Sequence, residues 1–200
     1  MATSDQQPVV LASGNKGKLA ELGRILDPLP MVLKSQAEFG VPEAEETGLT
    51  FVENAIIKAR AAASHTGLPS IADDSGLEVD YLQGKPGIHS ARYSGSGDAG
   101  NNARLLAELA EVAADRRSAR FQCVLVYLRH ALDPTPVICQ ASWEGSILFE
   151  PRGTGGFGYD SLFFVPQYQS SAAELDPALK NRISHRARAS ALLLDALRQG

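Results

Sequence analysis

Two hundred residues with 44% hydrophobic content can bury one large core or two small ones. The formal net charge of −4 gives a surface that repels nucleic acid and anionic membranes, so any anion site must be a local cluster of Lys and Arg. No apolar run approaches the ~18 residues of a membrane span, the polar start from Met1 to Gln7 lacks the parts of a signal peptide, and Cys123 and Cys139 form no metal or redox spacing. These features predict a cytoplasmic protein with two buried thiols, no membrane or nucleic-acid partner, and a flexible segment at 1–7.

In chain order, Val9, Val10, Leu11 and Ala12 read as a buried strand. A helix over 16–26 follows, with Leu19, Leu22, Ile25 and Leu26 on one face, and Asp27-Pro28 stops it. Residues 31–49 read as a weak strand and then an acidic loop. Thr50 and Glu53 fit a capping box for a second helix, Ala-rich over 55–63 and ending near Gly67. A short buried strand over 69–72 leads to a turn, Asp73-Asp74-Ser75-Gly76, and another strand is predicted over 77–82. Residues 84–100 read as a long Gly/Ser loop before a third helix over 101–113. The clearest strand lies over 119–131, with an antiparallel neighbour over 137–143 and a continuation over 145–149. A Gly-rich loop over 151–160 precedes a short strand over 162–165. Asp176-Pro177 is an N-cap and first-turn pair, and Ser184 caps a last helix carrying Leu193, Leu194 and Leu197. This mixture is α/β with an antiparallel component around 119–149.

Four stretches carry chemistry. The first is Ser13-Gly14-Asn15-Lys16-Gly17-Lys18, a Gly loop between a strand and a helix. Gly14 and Gly17 allow close backbone approach, and a helix N-terminus offers donors and partial positive charge to an anion. Lys18 opposes the helix dipole there, which makes sense if an anion sits above it. The P-loop pattern fails, because it needs Gly at position 12 and Ser or Thr at 19, and the chain has Ala12 and Leu19. Two readings stand, a phosphate site and an ordinary strand-to-helix turn.

The second stretch is Asp73-Asp74. Adjacent carboxylates at the carboxyl end of a strand repel one another unless a cation or donors intervene. A Mg²⁺ site is one use, and a turn with Asx-type caps is the other. Glu43, Glu45 and Glu46 are either solvated surface or a further carboxylate for the same metal. The third stretch, Gly153 to Asp160, contains G-x-G-x-x-G, as does Gly95 to Gly100, but neither follows a convincing buried strand and both fail as dinucleotide fingerprints. Phe157 on that loop is a stacking surface for a base or a core aromatic. The fourth is the basic cluster Lys180, Arg182, His185, Arg186 and Arg188, which suits substrate phosphate or a base carbonyl, or is a solvated face.

Taken together, the segments Ser13 to Lys18, Glu45 to Gly48, Phe51 to Ala55, Ile71 to Leu77, Ser90 to Gly95, Gly155 to Asp160 and Ile183 to Arg186 resemble the inosine triphosphate pyrophosphatase family, the noncanonical purine nucleoside triphosphate pyrophosphatases, in its bacterial branch. They fall in order across residues 9–198. The resemblance implies one domain over 1–200, an elongated α/β fold with two lobes, a curved mixed β-sheet flanked by helices, and a central substrate cleft. It implies a homodimer and a Mg²⁺-dependent hydrolysis of dITP, ITP and XTP to the monophosphate and pyrophosphate. The alternatives are a nucleoside triphosphate phosphatase releasing orthophosphate and a nucleotide sensor without turnover.

By the same resemblance Ser13, Gly14, Asn15, Lys16, Gly17 and Lys18 hold the triphosphate. Asp74 is the metal ligand or general base, with Glu46 as second metal carboxylate and Glu45 its competitor. Ser75 is a neighbouring substrate contact. Phe157 stacks on the base, and Gly158, Tyr159 and Asp160 complete that wall. Lys180 touches phosphate or base, and His185 with Arg186 reads the purine edge. Ser13 stands where the family often has Thr, and His89 where Tyr is common.

Overall fold

The computed structural model describes residues 6–199, and the start of the segment expected to be flexible at 1–7 lies outside them. Seven strands form one mixed sheet in the order β2-β1-β3-β4-β5-β6-β7. They are β1 Gln7–Leu11, β2 Met31–Ser35, β3 Ser70–Val79, β4 Ser118–Leu128, β5 Val137–Ile147, β6 Phe163–Val165 and β7 Ser170–Ser171. β1 runs parallel to both β2 and β3, and β6 runs antiparallel to β5 and β7. The helices are α1 Lys16–Leu26, α2 Phe51–Thr66, α3 Gly97–Glu108, α4 Pro177–Ile183 and α5 His185–Gln199.

The chain divides into two compact units. The first comprises Met1–Asp74, Cys123–Gln140 and Ala189–Gly200. Its α1 opens on Asn15, whose side chain accepts from Gly17 N and Lys18 N, and buries Leu22 and Leu26. Its α2 opens on Thr50, which accepts from Glu53 N at 3.3 Å. The Glu53 carboxylate reaches back to Leu49 N at 2.8 Å, so the box closes one residue further back than its usual form. Gly67, at φ +69, ends α2 with its N–H on Ala63 O. Ala55, Ala59, Ala62 and Ala63 make the buried face of α2, and such small residues let a strand approach: Ser70 Oγ donates to Ala59 O at 2.8 Å.

The second unit comprises Ser75–Gln122 and Ala141–Arg188. Its core gathers Leu77, Leu105, Leu109, Phe121, Trp143 and Phe163. The Phe163 ring centroid lies 4.6 Å from that of Phe121 and 5.3 Å from that of Trp143. A Cβ at Gly145 would sit 2.6 Å from Phe163 Cζ, so the glycine makes room for the ring.

Three expectations about the chain's path are corrected. The Asp73-Asp74-Ser75-Gly76 turn does not form, and β3 runs unbroken through it. Turn-prone residues stay extended here because the two aspartates find cations off the strand. The strand expected over 77–82 is the rest of β3 and ends at Val79, and Asp80–Leu82 forms a 3-10 turn instead. The third helix starts at Gly97 and ends at Glu108, and the long loop before it contains a 3-10 turn, Gly87–Arg92. Gly97 and Gly100 are poor helix formers and hide that start in the sequence. Cys123 and Cys139 are both buried. Among the described residues no helix is long and apolar enough to cross a membrane.

Candidate active site

In the first unit the parallel register carries the phosphate-type loop to Asp73. β1 and β3 pair Leu11 with Ile71, and Ala12 N donates to Ile71 O at 2.8 Å. The chain then leaves the sheet through Ser13 and Gly14 while β3 continues, and Lys18 Nζ lies 2.7 Å from Asp73 Oδ2. Asp73 is 4% exposed. The anion that offsets Lys18 at the start of α1 is therefore the chain's own carboxylate. Asn15 Oδ1 already engages Gly17 N at 2.8 Å and Lys18 N at 3.1 Å, which turns its Nδ2 outward as a donor. Ser13 Oγ accepts from Asn15 N at 3.2 Å. The side chain of Lys16 lies outside the described residues. A Cβ at Gly14 would meet nothing within 4 Å, so its own fold does not require the glycine.

Asp74 follows Asp73 on β3 and, by strand alternation, points to the other face. There it meets α2. Lys58 Nζ donates to Asp74 Oδ1 at 2.9 Å and to Glu46 Oε1 at 2.8 Å. Asn54, fully buried one helical turn before Lys58, accepts from Gly48 N at 2.9 Å and donates to Asp74 Oδ2 at 3.4 Å. A Cβ at Gly48 would lie 2.8 Å from Asn54 Oδ1, so only glycine permits that grip. Asn54 thereby holds the acidic loop beside β3. Glu46 is half-buried against Lys58, whereas Glu45 is exposed.

The electrostatics follow from this packing. Burial pushes the Asp74 carboxyl above its ordinary value and Glu46 adds to the push, while Lys58 and Asn54 oppose it. Burial alone would lower the Lys58 ammonium, but Asp74 and Glu46 outweigh it and the net shift is upward. Two carboxylates thus share one ammonium, an all-oxygen pair of the hard type that suits a small divalent cation. Among the described residues no group of three or more His, Cys, Asp or Glu side chains is placed to hold a metal.

In the second unit, Ser75 follows on β3 and is half-buried. The Gly-rich loop carries Phe157, 65% exposed. Lys180 Nζ pairs with Asp160 and sits 5.4 Å from the Phe157 ring centroid. Asp160 Oδ2 also accepts from Phe157 N at 2.9 Å. Lys180 is presented by α4, which opens on Asp176 accepting from Ala178 N and Leu179 N with Pro177 in its first turn. Tyr159 belongs to the core, and its hydroxyl donates to Ser90 O at 2.9 Å. Burial pushes that phenol up. His185 opens α5 after the Ser184 cap and stacks on Phe121 at 4.9 Å with planes 15° apart. Arg186 is the next residue of the same turn and is half-buried.

The structure therefore brings Glu46 and Asp74 together, and Phe157, Asp160 and Lys180 together. Sequence reasoning missed Lys58, Asn54 and the separate ion pair of Asp73. Asn54 carried a signal, because it lies on the Ala-rich stripe that α2 buries and a buried amide calls for partners, whereas Lys58 is half-buried beside that stripe.

By its parts this is a mixed α/β protein carrying a strand–Gly-loop–helix connection and a carboxylate pair held by one lysine. The model of the Ham1 family matches residues 9–196. A dITP/XTP pyrophosphatase of Escherichia coli O157:H7 is 60% identical over 196 residues, covering 97% of this chain and 100% of the relative. One from Thioalkalivibrio sulfidiphilus is 59% identical over 191 residues, covering 94% and 97%. The solved structure of a HAM1 protein from Coxiella burnetii matches with a TM-score of 0.93 at 49% identity, covering 97% of this chain and 100% of that one. The chain belongs to the Ham1 family.

Proposed function

We propose that this protein hydrolyses the noncanonical purine nucleoside triphosphates dITP, ITP and XTP to the monophosphate and pyrophosphate. The observation that carries the reading is the Glu46–Lys58–Asp74 cluster, in the same unit as the Ser13 to Lys18 loop. The names of the two relatives above, both dITP/XTP pyrophosphatases, support dITP and XTP among these substrates.

Glu46 and Asp74 are the residues that would hold Mg²⁺, which takes one or two carboxylates and completes its shell with waters and phosphate oxygens. When bound, such an ion neutralises phosphate charge and polarises the phosphoryl group. Asp74 orients the attacking water and takes its proton. Lys58 keeps both carboxylates in place and balances their charge. Lys18, Asn15 Nδ2 and the backbone at Gly14 receive the triphosphate, with Ser13, Lys16 and Gly17 in the same loop. Ser75 is an adjoining contact.

In the second unit Phe157 stacks on the base, and Gly158, Tyr159 and Asp160 support that wall. Lys180 contacts base or phosphate, and His185 with Arg186 donates to the 6-keto group of hypoxanthine or xanthine. Adenine presents an amino donor at that position and leaves such donors unpaired, which rejects it. The reading includes the homodimer that the family resemblance implies.

Asp74→Asn tests the assignment. Turnover of dITP is expected to fall at least ~100-fold, with an unchanged far-UV spectrum and cooperative unfolding. Turnover like that of the wild type would sink it.

A further inference from the structure

Phe157 sets a large apolar ring in solvent, yet the backbone on both sides of it is fixed. On one side, Phe157 N donates to Asp160 Oδ2 at 2.9 Å. On the other side lies Gly158, and both of its peptide groups are gripped from α3. Asp98 Oδ2 accepts from Gly158 N at 2.7 Å, and Asn102 Nδ2 donates to Gly158 O at 3.0 Å.

We infer that Asp98 and Asn102 are positioning residues that fix the backbone carrying the Phe157 ring, and so the place of that ring as a platform for the purine base. The inference rests on the base-stacking role given to Phe157 above. Asp98 and Asn102 are four residues apart on α3 and so share one face of it. Together they hold one residue by its N–H and its C=O, which fixes the peptide before it and the peptide after it. The peptide before Gly158 is the one that ends Phe157. Gly158 has φ +62, and a Cβ there would meet nothing within 4 Å. Its glycine is therefore required by conformation and not by space, and the conformation is what the two α3 side chains hold.

Two further details agree. Ser96 gives α3 no side-chain cap, and Asp98, the acidic residue of the first turn, reaches to Gly158 N. The amide of Asn102 is oriented by Gly158 O, and its buried Oδ1 has no hydrogen-bond partner among the described residues. With the backbone beneath the ring already held, less freedom is left to lose when a base stacks on it. Binding of a planar base is favoured as a result, while a ligand without a base gains nothing.

Asp98→Ala, Asp98→Asn and Asn102→Ala test this. Asp98 is exposed, so its variants should fold. Three readings are taken: KM and kcat for dITP, inhibition by inorganic triphosphate, and hydrogen exchange at the Gly158 amide. Asp98→Ala is expected to raise KM about tenfold with kcat within about twofold, because only the orientation of the base is lost. Inhibition by inorganic triphosphate should stay unchanged, and Gly158 exchange should quicken at least about tenfold as its bond is lost. Asn102→Ala should act in the same direction. Asp98→Asn keeps an acceptor for Gly158 N and should stay within about threefold of the wild type.

Wild-type KM in Asp98→Ala, or equal weakening toward dITP and inorganic triphosphate, would overturn the inference. If Phe157→Ala itself leaves KM unchanged, the stacking reading fails and takes the inference with it. That case is told apart because Gly158 exchange still quickens in Asp98→Ala.

Discussion

Lys58 Nζ lies 2.9 Å from Asp74 Oδ1 and sets a positive charge against a half-buried carboxylate beside Glu46. Burial and Glu46 raise the proton affinity of Asp74, and Lys58 lowers it. Removing Lys58 must therefore raise that affinity further. Catalysis that needs ionised Asp74 is lost as pH falls through its pKa, so the Lys58→Met variant should lose turnover at a higher pH than the wild type. The check is the acid limb of kcat against pH. A limb that stays in place, or moves to lower pH, contradicts the role given to Lys58.

Gly14 is required neither by space nor by a left-handed φ, since a Cβ there meets nothing within 4 Å. Gly14→Ala should leave stability within about 0.5 kcal/mol, as at an ordinary surface position. If the loop receives phosphate, the added methyl crowds the anion, and KM for dITP should rise about tenfold. Denaturant unfolding and initial rates on one preparation measure both effects. A glycine that served only the fold would give the reverse pattern.

Two phenylalanines of the second unit should separate binding from stability. Phe157 is 65% exposed and Phe163 is fully buried. Phe163→Ala should cost ~3–5 kcal/mol of stability through lost packing. Phe157→Ala should cost less than ~1 kcal/mol of stability. Its KM for dITP should nonetheless rise, by the ~1–3 kcal/mol that stacking on an aromatic supplies. Matching stability losses in the two variants would place Phe157 in the core.

Elements whose signals are local were legible in the sequence. Thr50 caps α2 where its side chain predicted, Gly67 ends α2, and Asp176 with Pro177 starts α4, whereas the cap that Asn15 gives α1 went unread. Asp73-Asp74-Ser75-Gly76 was misread because its conformation is decided by residues far along the chain. Lys18 answers Asp73 and Lys58 answers Asp74, 55 and 16 residues away. Local propensity for a turn loses to two ion pairs on opposite faces of a strand.

The candidate site divides along the same line. Asp74 and Glu46 carry charges that sequence reasoning could single out, and the structure sets both on Lys58. Lys58 itself sits in an Ala-rich helix, where its burial is visible only once α2 lies against β3. Asp98 was hidden by a misplaced start of α3, which assigned it to a loop and so away from the helix face it shares with Asn102.

Phosphorus NMR of dITP or XTP incubated with the protein and Mg²⁺ tests the central claim most directly. The account predicts monophosphate and pyrophosphate in equal amounts from both, with dATP turned over far more slowly. Release of orthophosphate, or binding without any product, would contradict it.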